Sequence, residues 1–136
     1  MAATGKYANA PTRGDIEAIA SEAFATIPHA LAQHVAEVAI HVVDFPDDET
    51  MEVLELESPF DLLGLYQGIS LDRKSVADTL SDIDRIYLYR RPLLDYWCES
   101  GEDLYHVVRH VLIHEIGHHF GFSDDDMEAI EARASG

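Results

Sequence analysis

Between Arg13 and Pro28, apolar residues recur at steps of three and four: Ile16, Ile19, Ala20, Ala23, Phe24 and Ile27 share one stripe of a 3.6-residue helix. The spacing predicts a helix that opens at Gly14-Asp15 and stops at Pro28. A short helical or irregular piece runs on to His34. From Glu37 to Asp44 the period drops to two, with Val38, Ile40 and Val42 on one side, which predicts a strand closed by Pro46. Phe45 to Thr50 reads as a solvated turn leading into a short helix to about Glu57, and Ser58-Pro59-Phe60-Asp61 as another helical turn. Leu63 to Gly68 predicts a brief strand bounded by glycines, and Ile69 to Asp82, which has no clear period, a long loop.

Asp84 to Tyr89 alternates again, Ile86 and Leu88 against Arg85, Tyr87 and Tyr89, and Arg90-Arg91-Pro92 ends that strand. Proline cannot donate to a ladder and so fits the end of an edge strand, to which an extended peptide can add. The competing reading is a core strand with aromatic packing. Leu93 to Glu99 predicts a short helix with Trp97 buried, broken by Ser100-Gly101. Glu102-Asp103 then supply acids suited to a helix N-terminus, and Leu104, Val107, Val108, Val111, Leu112 and Ile116 form the buried stripe of a helix running to Phe120. Nineteen residues at 1.5 Å each make it about 28 Å long.

That helix carries His114-Glu115-Ile116-Gly117-His118-His119-Phe120-Gly121-Phe122-Ser123-Asp124, the pattern HExxHxxGxxD. Four residues apart, His114 and His118 project from one face roughly 6 Å apart at Cβ, so two imidazoles can meet one ion. Gly121 suits the turn that ends the helix, because glycine enters the left-handed region without a Cβ clash. The turn can bring Asp124 to the ion as third ligand. Imidazole and carboxylate donors suit zinc, and three protein ligands leave a fourth position for water, whose pKa falls to about 7 on zinc. Glu115 is then placed as the general base that takes the water's proton and passes it to a leaving amine.

HExxH alone could be a solvated polar face; glycine and aspartate at matching offsets favour the metal. Ser123 and Asp124 also resemble N-cap residues of a last helix, Asp125 to about Arg133, so Asp125 or Asp126 could ligate instead. His106, His110, His114 and His118 follow at four-residue steps, but each step drifts about 40° around the axis. Only the final pair has acid and glycine partners, so His106 and His110 read as partly exposed polar residues and His119 as packing or hydrogen-bonding behind the site. His29, His34 and His41 lack ligand spacing.

At 136 residues the chain fits one domain, 13–136, after a loose tail, 1–12. An apolar share of 47% argues against disorder. Nine Lys plus Arg against 26 Asp plus Glu give a net charge of −17, which repels nucleic acid and anionic membrane surfaces; it serves solubility or, more sharply, a preference for basic peptides. The single cysteine, Cys98, cannot form an internal disulfide and reads as a packed small hydrophobe. Met1 to Arg13 lacks the apolar core of a signal peptide, and no apolar run reaches a membrane span; a cytoplasmic protein is expected.

Three blocks resemble a small bacterial family of minimal zincin-like metallopeptidases: Leu62 to Gly68, Asp84 to Pro92, and Val108 to Gly121 with Asp124. The last block is the specific one, and the similarity covers nearly the whole chain after residue 13. The resemblance implies a compact α+β domain, a small mixed sheet of about three strands packed against helices, with the active-site helix near the C-terminus. It also implies one zinc ion held by His114, His118 and Asp124, with Glu115 as general base. Tyr66, Tyr87 and Tyr89 are candidate donors to an oxyanion, and Met127 lies too near Asp124 to serve as a metzincin methionine turn. The expected function is zinc-dependent hydrolysis of a peptide or amide, the substrate lying along Asp84 to Tyr89. The alternatives are a metal-stabilised module that holds peptides without cutting them, and a site that binds no metal.

Overall fold

A computed structural model describes residues 10–35, 38–68 and 84–135. Helices α1 (Arg13–Phe24) and α2 (His29–Ala32) precede strand β1 (Val38–Val43), followed by α3 (Asp48–Val53), a 3₁₀ turn (Pro59–Asp61) and β2 (Gly64–Gln67). Strand β3 (Asp84–Tyr89) leads directly into α4 (Arg90–Ser100), then α5 (Leu104–His119) and α6 (Asp124–Ser135). The class is α+β, as expected. The loop expected over Ile69 to Asp82 lies outside the described residues.

Local chemistry sets several of these boundaries. Thr12 caps α1 and exchanges bonds with Asp15 in a capping box. Pro11 is fully buried, and its carbonyl accepts from Arg90 Nε at 2.8 Å, so the anchored chain begins ahead of α1, within the segment expected to be a loose tail. α3 stops short of the expected Glu57, since Glu55 takes φ +54°, a left-handed conformation that a helix cannot continue through. α4 begins at Arg90, with Pro92 inside its first turn, where a missing N–H costs no intrahelical bond. That corrects the expectation that Arg90-Arg91-Pro92 merely closes a strand.

The sheet order is β1-β3-β2, with β1 parallel and β2 antiparallel to β3. Asp84 to Tyr89 is therefore the central strand. Both of its edges are already hydrogen-bonded, so the reading of it as the edge that receives a peptide is wrong and the core-strand reading holds. Among the described residues, no strand pairs with the outer edge of β2.

Register divides the sheet into two faces. Val42, Ile86, Leu88 and Tyr66 project toward α1 and α5, where they join Ile16, Ala20, Val108, Leu112 and Ile116 in one core. His41, Val43, Leu65, Gln67, Tyr87 and Tyr89 take the opposite face. Trp97 is buried, as expected, but Cys98 is exposed: the buried side of α4 runs through Leu93 and Trp97, and the next residue turns about 100° away from it. No helix among the described residues is long and apolar enough to cross a membrane.

Candidate metal centre

α5 is buried along Leu104, Val107, Val108, Val111, Leu112, Ile113, Ile116 and Gly117, which leaves His114 and His118 at the rim of the apolar face. At its end Gly121 adopts φ +85°; its N–H reaches the His118 carbonyl at 3.2 Å and the Phe122 N–H reaches the Gly117 carbonyl at 2.8 Å. This pair of bonds is a Schellman turn, which satisfies the last carbonyls of α5 and reverses the chain within a few residues. Ser123 then caps α6 and exchanges bonds with Asp126, at 3.1 Å and 3.0 Å. Asp126 Oδ2 is thus held at the cap, and Asp124 becomes the first residue of α6.

Gly117, inside the HExxH motif, is what lets α6 approach. A Cβ there would collide with the Met127 sulfur, and Met127 is completely buried against it. Met127 therefore packs behind the motif, a contact the sequence offers no spacing rule to find.

With α6 seated, Asp124 Oδ1 lies 2.9 Å from His118 Nε2 and 4.0 Å from His114 Nδ1, and the donor atoms of the three residues all fall within 4.8 Å of one another. A tetrahedral zinc with bonds near 2.1 Å needs donors roughly 3.4 Å apart. Two imidazoles and a carboxylate at these separations fit that ion after small side-chain adjustment. Burial, followed by the neighbouring His110 charge, pushes His114 below the usual histidine range, which favours the neutral ring that ligates metals. The Asp124 carboxyl is held below its ordinary range chiefly by its bond with His118. The side chains open to solvent in order, 24% exposed at His114, 52% at His118 and 79% at Asp124.

Glu115 lies on the β2 side of α5, within reach of the His118 charge, and its carboxylate accepts a hydrogen bond from the backbone N–H of Tyr66. Burial raises its pKa, more than the His118 charge and the Tyr66 bond lower it. His119 stacks on Tyr66 with ring centroids 4.1 Å apart, in agreement with the packing expected of it. The Tyr66 hydroxyl donates to Asp84 Oδ2 at 2.6 Å, and burial followed by that acid keeps it protonated. Tyr89, on the far face, is pushed up to about 12, first by burial and then by the charges of Asp47, Tyr87 and Glu115. Tyr87 stacks on His41 on that same face. Of the three tyrosines considered for an oxyanion, Tyr66 has its hydroxyl committed and the other two project away from α5.

Two residues near the centre were not picked out by sequence reasoning. Glu131 Oε1 lies 3.3 Å from His114 Nε2, and its Oε2 lies 3.6 Å from His110 Nδ1. His110, His114 and Glu131 form a second group of converging donors that shares His114 with the first. His110 is thus not a bystander: its ring lies 4.1 Å from that of His114. The available signal is that Glu131 follows Asp124 by seven residues, two helical turns, which puts both carboxylates on one face of α6. Reading it requires knowing that α6 folds back along α5. His106, by contrast, is an exposed neighbour of Glu102, at 3.6 Å.

No curated protein matches the chain. A family profile described as zincin-like metallopeptidase matches residues 35–134, a span from just before β1 into the last turns of α6 that includes every donor described above. The chain belongs to the zincin-like metallopeptidases.

Proposed function

We propose that the protein is a zinc-dependent peptidase whose ion is held by His114, His118 and Asp124 and whose general base is Glu115. The observation that carries this reading is the convergence of those three donors, within 4.8 Å of one another, at the end of a core-packed helix whose motif also supplies a half-buried carboxylate. Bound there, zinc supplies the Lewis acidity that polarises a carbonyl and eases ionisation of a water.

The chain's own residues do the rest. Glu115 takes a proton from the attacking water on its carboxylate and delivers it to the leaving amine. The Tyr66 N–H fixes where that carboxylate sits. Glu131, facing Nε2 of His114, orients the ring so that Nδ1 is presented on the Asp124 side. A peptide has the outer edge of β2 to lie against, next to Glu115.

Glu115→Gln should retain zinc by elemental analysis and lose about 10²–10⁴-fold in peptide turnover. Undiminished hydrolysis by that variant would overturn the proposal. Glu131→Gln should leave the fold intact and weaken zinc about 10–100-fold in a chelator competition.

A further inference from the structure

The cleft on the open face of the sheet beside β2 has no role in the reading above. We infer that it is a side-chain pocket for a lysine or arginine of the peptide substrate. The inference rests on the peptidase reading and adds the substrate class.

Its position follows from the ladder. The Tyr89 N–H bonds the Leu63 carbonyl at 3.0 Å, which makes that pair, and by alternation Leu65 with Tyr87 and Gln67 with Arg85, the pairs that spend their backbone groups on β3. Gly64 and Tyr66 therefore turn their backbone groups outward, and the Tyr66 N–H meets Glu115 on that side. An extended peptide bonded along this edge, through Gly64 and the Tyr66 carbonyl, sends successive side chains to opposite faces of the sheet. One set goes to the helix side. The other falls beside Leu65 and Gln67, the immediate neighbours of Tyr66, and these two residues line a cleft of about 400 Å³.

The chemistry of the cleft selects its occupant. Val53, Leu54 and Leu65 form apolar walls, with Val53 72% and Leu54 42% exposed, while Asp47 and Glu49 place carboxylates beside them. Asp47 Oδ1 caps α3 by accepting the Thr50 N–H at 2.7 Å, and a carboxylate accepts up to about four hydrogen bonds, so the cap leaves capacity for a cation. A lysine or arginine lays its methylene stem on an apolar wall and keeps its charged head among acids. An acidic side chain would meet like charge, and a plain aliphatic one would leave the carboxylates without a counter-charge. The net charge of −17 draws cationic peptides to the whole surface.

The test uses labelled peptides identical except for one position scanned through Lys, Arg, Leu and Glu. Binding is read by anisotropy on zinc-loaded Glu115→Gln, and cleavage on the wild type. Lys and Arg peptides should bind and be cut at least about tenfold better than the Leu and Glu peptides, a difference worth about 1.4 kcal/mol. Asp47→Asn with Glu49→Gln should erase the preference while asparagine keeps the α3 cap. Glu49→Lys, at an exposed position that leaves the cap untouched, should turn the preference toward the Glu peptide. Cleavage with no preference for a basic residue, or a preference that survives the double substitution, overturns the pocket and leaves the peptidase reading standing. Selective binding of basic peptides without any cleavage does the reverse. Absence of both binding and cleavage overturns both.

Discussion

Helix α5 meets the sheet and α1 on one side and α6 on the other, and the two contacts are built from different materials. Toward the sheet and α1, Val108, Leu112 and Ile116 pack among Ile86, Leu88, Ala20 and Ala23, an apolar contact of ordinary core residues. Toward α6, Met127 fills the notch at Gly117 and Ile130 joins the core, and beyond them His110, His114 and His118 face Glu131 and Asp124. The first contact is an area effect and is spread over many side chains. The second adds to a smaller apolar part a fit at a few named atoms, and the proposed chemistry depends on that fit. The same helix thus serves as structural beam on one side and as half of a metal centre on the other.

Three substitutions probe that contrast. Leu112→Ala, on the side facing the core, should cost about 2–5 kcal/mol in denaturant unfolding and leave the zinc affinity of the folded protein nearly unchanged. A matching loss of zinc affinity would mean that the two sides are not separable. Gly117→Ala, on the α6 side, should cost less, about 1–3 kcal/mol from overpacking against Met127, yet weaken zinc, because Asp124 moves with α6. If chelator competition shows full affinity in that variant, α6 is not what positions the third donor.

The smallest effect concerns Glu115 without metal. Its folded pKa lies above the ordinary 4.5, so its contribution to stability is complete below the unfolded value and is lost as pH rises through the folded one. Metal-free Glu115→Gln should therefore melt higher than the wild type at pH 7, with the gap closing as the pH is lowered through about 4.5. A gap that widens in acid would contradict the burial of this carboxylate.

The contrast also separates what was legible in the sequence from what was not. Period alone locates α1, β1, β3 and the buried stripe of α5, because apolar burial imprints a spacing on each element. Gly121 and its turn were legible for the same local reason: one backbone conformation demands one residue. Sheet order was not, since alternation in Asp84 to Tyr89 reports that the strand is half-buried or buried but not which neighbours flank it. His110 reads as a partly exposed polar residue and Glu131 goes unmarked, because their partnership exists only once α6 lies antiparallel to α5, a tertiary fact that spacing within either helix does not carry. Cys98 was placed in the core on composition, whereas its angular position next to Trp97 decides its exposure.

Only Phe120 to Ser123 separate the last two helices, and Asp124 belongs to the second of them rather than to a slack loop. An ion clasped by His114, His118 and Asp124 would for that reason rivet the C-terminal segment to the body of the protein. At a thousandfold excess of free metal over Kd, the clasp is worth about 4 kcal/mol against detachment. Met127 and Ile130 keep α6 packed without the ion, so loading with zinc should show as slower amide exchange and slower proteolysis of residues 124–135 than in the metal-free protein.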